Sequence, residues 1–386
     1  MFKNYFKTAW RHILRNKGYS ALNILGLGTG MGVALLIGLW VHYEYSYDKF
    51  LPDYERLYQV RRNFNSNGDI LNFPTTSLAL ADALRNEIPE IEYVAETDHM
   101  NSHGLKVGDK KIYLDGGQVN SDFLKMFQYP LVKGTPETVL QDPYSIVLTE
   151  STALALFGEE NPLNQLVRFD NKNNLKVTGI LKDLPANSTF KFKYLVPFSY
   201  FEATESYVKE QRRGSFSENS YEIYVKLRPG ITYAQVAPKI KNIQKKGQYD
   251  ANVRNSEVVM QAMQNWHLYS VYENGKDTGG FIEYIRMFSV VGILILLIAC
   301  INFINLTTAR SEKRAREVGV RKAIGSKRTD LIIQFLAESL VFSLLAFVWA
   351  LILVQISLPA FNTLINSKIT LPLTNGNFWF ITLGCV

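Results

Sequence analysis

Cysteine is all but missing. Cys300 and Cys385 are the only two in 386 residues, and both fall in apolar runs, so no disulfide framework is available and any water-facing part must be held by an ordinary core. Histidine is scarce too, with five. No Ser/His/Asp arrangement, glycine-rich phosphate loop or paired-carboxylate motif stands out, which leaves nucleophilic, nucleotide-driven and acid–base catalysis without a sequence basis. His99 and His103 stand four apart beside Glu96 and Asp98. That spacing serves a metal only on a helix, and Asn101, Ser102 and Gly104 read instead as a solvated loop. His267, between Trp266 and Leu268, reads as an ordinary interface or partly buried residue.

Acid is scarce at the two ends of the chain. Residues 44–283 hold 27 Lys/Arg against 31 Asp/Glu, a net −4, whereas the whole chain carries +7, which leaves +11 for the remainder. The excess sits beside apolar runs and not on the long middle region, so it acts as a topological signal and argues against a nucleic-acid partner.

What is abundant is apolar sequence in blocks. Residues 1–17 carry Lys3, Lys7, Arg11, Arg15 and Lys17 with no acid, and Phe2, Phe6, Trp10 and Ile13 lie between them at near-helical spacing. This predicts a cytoplasmic amphipathic helix over 1–20 lying at the headgroup surface of the lipid bilayer. Residues 22–41 are uncharged, and about twenty residues at ~1.5 Å each span the ~30 Å hydrocarbon core, giving a first membrane helix over 21–43. A signal peptide fits less well, because the run exceeds an h-region and His42, Tyr43, Glu44 and Tyr45 do not resemble a cleavage site. Gly26, Gly30, Ala34 and Gly38 recur every four residues, with Gly28 and Gly32 on a neighbouring line. That predicts a smooth face for close helix packing; the plainer account is that glycine is common in membrane helices.

Two more spans are expected at about 286–308 and 335–358. A fourth run begins at Asn377 and stops at Val386, about half the length of a span, so the sequence is expected to be cut within a membrane helix. Residues 309–328 carry eight basic residues against Glu312 and Glu317. By the positive-inside rule this turn and the N-terminus are cytoplasmic, and residues 44–283 and 362–376 lie outside. Asn302, Asn305, Gln334 and Glu338 are polar groups at membrane depth or its edge. A carboxylate at the bilayer centre costs ~2.5 kcal/mol or more, so Glu338 is expected to face protein or the cytoplasmic interface, bracing the turn through Arg316 or Arg321.

The region between the first two spans mixes both kinds of element. Residues 47–63 read as a turn and a strand, 76–85 as a helix, 107–119 as a strand with a Gly-Gly turn, 145–149 as a strand followed by a helix closed by Gly158, 167–184 as strand-rich, 221–227 as a strand and 232–243 as a helix. The Ser/Glu/Arg-rich stretch 202–220 reads as a mobile loop. The fold class is therefore a membrane protein, an α-helical transmembrane module with a large inserted α+β extracytoplasmic domain of two subdomains.

The segments YDKF, YERLYQV, FLKMFQYPLVKG, SIVLTESTALALFGEENPLNQ and VTGILKDLPANSTFKF, followed by ACINFINLTTARSEKRAREVGVRKAIGSKRTDLIIQFLAES, span nearly the whole chain. In that order they resemble the MacB/FtsX superfamily of ABC transporter permeases, with a MacB-like periplasmic core domain at 44–283 and an FtsX-like permease module at 285–386. The resemblance implies a mechanotransmission permease of the bacterial inner membrane with no catalytic residues, cofactor or metal of its own. It implies a partner ATPase carrying ATP-Mg, a second permease copy or tandem half, and a periplasmic adaptor. It also implies that the coupling helix contacting the ATPase is Glu317, Val318, Gly319, Val320, Arg321, Lys322, Ala323, Ile324 and Gly325. By residue type alone, 312–324 forms a short amphipathic helix, and a basic segment lying on acidic lipid accounts for it as well. The cargo, of peptide, lipoprotein or antibiotic type, is not legible. A membrane-anchored sensor or regulator, for example of wall hydrolases, is the alternative; a receptor would place a long output domain where only about twenty-five residues separate two spans.

Overall fold

The computed structural model describes residues 11, 13–214, 216–245, 250–309, 319–320, 322–324 and 328–384. It divides into two compact units, Met1–Tyr45 with Glu283–Val386, and Ser46–Ile282.

In chain order, helix α1 (Lys17–Glu44) precedes a 3-10 turn at Tyr54–Arg56, β1 (Leu57–Ser66), β2 (Asp69–Phe73), α2 (Leu78–Glu87), β3 (Ile91–Thr97), β4 (Asn101–Val107), β5 (Lys110–Val119) and α3 (Ser121–Phe127). There follow β6 (Leu131–Lys133), β7 (Ser145–Thr149), α4 (Glu150–Phe157), β8 (Leu166–Phe169), β9 (Asn173–Leu181), β10 (Tyr194–Pro197), α5 (Phe198–Thr204) and α6 (Ser206–Arg213). The unit ends with β11 (Glu222–Leu227), α7 (Tyr233–Ile240), β12 (Ser256–Ala262), β13 (Val271–Glu273) and β14 (Lys276–Gly279), after which α8 (Phe281–Ala309), α9 (Arg328–Ile365) and α10 (Gly376–Gly384) complete the chain.

The Ser46–Ile282 unit has two parts. An antiparallel sheet runs β3-β11-β1-β12, with β2 as a hairpin on β1. Strand side chains alternate, so Val60, Ile223, Val225, Val258 and Met260 point to one face and pack with Leu80 and Leu84 of α2 and Val236 and Ile240 of α7. Both helices are capped as their sequences require: the Ser77 hydroxyl accepts the Leu80 N–H at 3.3 Å, and Thr232 with Gln235 forms a capping box.

The second part is a closed six-stranded barrel, β4-β5-β10-β7-β9-β8 and back to β4. Closure depends on β10 running parallel to β5 with Tyr194 opposite Gly116. A Cβ at Gly116 would stand 2.5 Å from the Tyr194 ring, so glycine is needed for the close approach. This corrects the Gly-Gly turn expected at 116–117: both glycines lie inside β5, and the turn is one hairpin earlier, at Gly108 with φ +55°.

Two further expectations are corrected. Residues 202–213 are no loop: they hold the end of α5 and all of α6, with Val208 fully buried and Arg212 bridging Glu96 at 2.6 Å and Glu202 at 2.7 Å, while 216–220 carry no helix or strand. The composition is polar because the segment carries an ion network. The His99–Gly104 loop is mostly strand β4, where the His103 Nδ1 pairs with Asp170 Oδ2 at 2.6 Å and the ring stacks on Phe169.

In the other unit, Lys17–Glu44, Phe281–Ala309 and Leu331–Ile365 are long and apolar enough to cross a membrane. Gly30 of α1 lies against Ala299 of α8, Gly292 of α8 against Ile37, and Trp40 meets Phe288 edge to face at 5.4 Å, so these helices are antiparallel. Gly28 lies against Ala346 and Trp349 of α9, and Gly32 against Ala350 and Leu353, so α1 and α9 are parallel. Hydroxyls on these helices satisfy themselves on the carbonyl one turn back, as Ser289 does on Ile285 at 2.7 Å and Thr307 on Phe303 at 2.7 Å.

Candidate functional site

The most heavily constructed place in the Ser46–Ile282 unit is where its two chain ends meet. Asp48 sits in the left-handed region at φ +59° and is 1% exposed. Its N–H donates to Asn187 O at 3.0 Å, and its carboxylate accepts the Thr189 N–H at 2.8 Å and the Thr189 hydroxyl. The Asn187 amide returns two bonds, to Ser46 O at 3.0 Å and Ser46 Oγ at 2.9 Å. Burial raises the Asp48 pKa against the lowering effect of the Thr189 bonds. Next to it, the Tyr47 ring stacks on His267 with centroids 3.5 Å apart and planes 2° from parallel. The His267 ring also meets Phe281 at 5.3 Å, and the Ile282 N–H donates to Leu268 O at 2.9 Å. Leu51 and Met263 are buried in one core with Phe123, Phe127, Phe190 and Phe192. The residues after α1 and those before α8 are thus fastened to one another and to the 187–192 strap.

In the membrane unit, the glycines of α1 divide by face. A Cβ at Gly28 would come within 2.6 Å of Ala346 O and 2.8 Å of Trp349, and one at Gly30 would overlap the Ala299 methyl. A Cβ at Gly26 would stand 3.7 Å from the Asn302 amide, Ala34 is half-buried, and among the described residues nothing lies within 4 Å of a Cβ at Gly38. Asn302 and Asn305 are both exposed on α8. Glu338 is buried at 6% exposure and its Oε1 accepts the Gln334 amide at 3.2 Å. The α1/α9 register, carried two turns back from Gly28, brings Ser20 level with Glu338. Asn23 is 2% exposed, and neither amide atom has a hydrogen-bond partner among the described residues. Arg316, named as a brace for Glu338, lies outside the described residues, as do Glu317, Val318, Arg321 and Gly325 of the coupling stretch. Gly319, Val320, Lys322, Ala323 and Ile324 are all exposed, and the Ile324 N–H donates to Val320 O at 3.1 Å.

Residues 20–243 match the family described as the MacB-like periplasmic core domain, and residues 289–386 match the FtsX-like permease C-terminal family. The chain belongs to the MacB/FtsX family of ABC transporter permeases. This MacB/FtsX permease is a multi-pass membrane protein with a periplasmic domain. It is similar to the macrolide export ATP-binding/permease protein MacB of Aggregatibacter actinomycetemcomitans, 26% identical over 369 residues, covering 90% of this chain and 52% of that protein. It is similar also to the pyoverdine export ATP-binding/permease protein PvdT of Pseudomonas syringae pv. syringae, 22% identical, covering 96% of this chain and 54% of that protein. The permease thus spans about half the length of these curated relatives. Among solved structures it is similar to a permease domain from Porphyromonas gingivalis (TM-score 0.47, 22% identity, 61% of this chain and 99% of that one). The periplasmic region of MacB from Actinobacillus actinomycetemcomitans gives a TM-score of 0.40 at 20% identity, over 54% of this chain and 90% of that one.

Reading the sequence missed the fastening of the permease's periplasmic ends. Tyr47 and Asp48 lie in YDKF, and Asn187 and Thr189 in PANSTF, so both halves carried the family resemblance. Their pairing across 141 residues has no signal in a single sequence. His267 was set aside as ordinary, and its stack on Tyr47 depends on the same fold. Asn23 was passed over because one amide hardly alters the hydropathy of a span.

Proposed function

We propose that this permease transmits ATP-driven motion of a nucleotide-binding ATPase to its periplasmic domain. ATP binding closes two ATPase subunits, the cytoplasmic turn between α8 and α9 moves with them, and α8 and α9 carry the displacement across the membrane. No covalent chemistry falls to this chain; ATP-Mg acts on the ATPase. The ATPase contact is residues 317–325, where Val320 and Ile324 offer exposed apolar side chains between basic ones. With its N-terminus cytoplasmic by the positive-inside rule, the alternating directions of α1, α8 and α9 support a turn on the ATPase side of the inner membrane. The exposed face of α8 that carries Asn305 is where a second permease copy or tandem half packs, and a periplasmic adaptor and export of peptide, lipoprotein or antibiotic-like cargo complete the reading.

One observation carries this proposal: the stack of Tyr47 on His267, with Asp48 bound to Thr189. It ties the periplasmic ends of the first two spans together, so that motion of either is delivered to one patch of the domain. Transmission requires ATP and ADP states to favour different conformations. The test is co-purification from native membranes. An ATPase is expected to accompany the full-length permease, and Val320→Glu, which puts a carboxylate on the apolar docking side, is expected to release it without loss of the permease. Absence of any nucleotide-binding partner overturns the reading in favour of a sensor or wall-hydrolase regulator.

A further inference from the structure

The sheet β3-β11-β1-β12 has a second face. Since Gln59 pairs with Tyr224 and with Gln261, the alternation puts Gln59, Arg61, Glu222, Tyr224 and Gln261 together, opposite the helix-covered side. These residues form the floor of a cleft of about 540 Å³ whose walls are the 189–192 strap, Asp115 of β5 and the aromatic stretch Trp266, Tyr269 and Tyr272. The volume lies in the ~300–1,000 Å³ range of small-ligand sites.

The charged groups on the floor are not equivalent. Glu222 is engaged, accepting the Tyr224 hydroxyl at 2.7 Å. Arg61 is half-buried and hydrogen-bonded by neutral groups alone, with the carboxylates of Glu222 and Asp277 acting on it at longer range. Its Nε donates to Asn72 Oδ1 at 2.5 Å, one Nη donates to Gln59 Oε1 at 2.7 Å, and the guanidinium lies 4.4 Å from the Tyr272 ring centroid. Among the described residues no carboxylate lies within 4.0 Å of it, and Nη2 has no partner. Arg212, by contrast, is bound to the carboxylates of Glu96 and Glu202. A guanidinium fixed in place by neutral partners, with donors left over and a cleft in front of it, is organised for a planar oxyanion from outside. The aromatic wall beside it favours an apolar body on that anion.

We propose that this cleft binds an apolar carboxylate, its oxygens on Arg61 and its apolar body along Trp266, Tyr269 and Tyr272. A small aromatic acid and the C-terminal residue of a peptide share this chemistry. The inference stands apart from the ATPase reading, because it needs only the periplasmic domain in its folded state. Asp115 is exposed at the rim, where its charge opposes an incoming carboxylate.

Calorimetric titration of the full chain in detergent tests it, with N-acetyl-phenylalanine, the tripeptide N-acetyl-Ala-Ala-Phe and the C-terminal amide of each as probes. Both amides are expected to bind at least about ten-fold more weakly than their acids, the loss of a charge-assisted pair. Arg61→Gln is expected to abolish that difference, and Asp115→Asn to tighten the acids about three-fold. Equal binding of both acids supports a small-acid site, and tighter binding of the tripeptide acid supports a peptide end. The proposal is overturned if neither acid binds up to about 10 mM, if acid and amide bind alike, or if Arg61→Gln keeps the acid preference. Should Arg61→Gln fail to fold, the acid–amide comparison on the parent and the Asp115→Asn shift decide.

Discussion

Asp98, at the end of β3, is the carboxylate whose environment most opposes its charge, and replacing it by asparagine should uncouple the stability of the periplasmic domain from pH. Burial drives the Asp98 pKa up to about 7 from 3.8, against two backbone bonds that favour the ionised form, one of them from the Gln118 N–H at 2.7 Å, and Glu222 nearby adds to the rise. An acid whose folded pKa exceeds its unfolded one keeps its proton in the fold and loses it on unfolding. Stability is therefore fully present below about pH 4 and declines as pH rises to about 7, by about 1.4 kcal/mol per pH unit at most. The three-unit interval sets a ceiling of about 4 kcal/mol. Solvent admitted by the neighbouring cleft lowers the expected value to about 2 kcal/mol. The side-chain amide introduced by Asp98→Asn keeps a carbonyl acceptor for the Gln118 N–H without the charge. Denaturant unfolding of the purified chain at pH 4.5 and pH 8 should then give nearly equal stabilities for parent and Asp98→Asn at the lower pH, and a more stable variant at the higher. A difference of the same size at both pH values, or a less stable variant at pH 8, would refute the assignment of a buried, protonated Asp98.

Three other outcomes follow from the packing. Arg212→Ala leaves Glu96, 2% exposed, with Arg85 as its remaining ion partner, and should destabilise the periplasmic domain by about 3 kcal/mol; a change under 1 kcal/mol in the same denaturation assay counts against a buried network. Gly116→Val should prevent β10 from closing on β5, read as loss of slow amide exchange in both strands while α2 and β12 keep theirs. Gly28→Leu should force α1 and α9 apart, whereas Gly38→Leu should be tolerated in the isolated permease, compared by thermal stability in detergent.

Elements set by local pattern were legible from the residues alone. The span of α1 came from a run without charge, α2 from its period, β7 from SIVLT, and the change of chain direction at Gly158 from a glycine that the structure holds at φ +62°. What failed was whatever depended on a distant neighbour. Gly116 and Gly117 have the composition of a turn, and only Tyr194, brought across by barrel closure, makes them strand residues. Residues 206–213 are polar enough to pass for a loop until Glu96 and Glu202 supply partners for Arg212. The spacing singled out a glycine stripe on α1, and its two lines meet different neighbours, Gly30 facing α8 and Gly28 with Gly32 facing α9. That division follows from the three-helix arrangement and leaves no trace in the spacing. The candidate site was the least legible part: the motif residues of YDKF and PANSTF were noticed, while their joining through Asp48 and Thr189 was not.

The fastening of Tyr47 to His267 also bears on how the periplasmic domain is made. A domain inserted between two helices has to bring the ends of a very long loop together, which costs a free chain about 5 kcal/mol of closure entropy at this length. Antiparallel packing of α1 on α8, with Trp40 on Phe288 near that end of the pair, holds those ends close once both helices are in the bilayer. The entropy is then lost during membrane insertion, before the domain folds, and the Tyr47–His267 stack has only to complete a loop that the bilayer has already closed. On this view the same sequence released from its helices is the less stable form, by an amount the membrane ordinarily supplies.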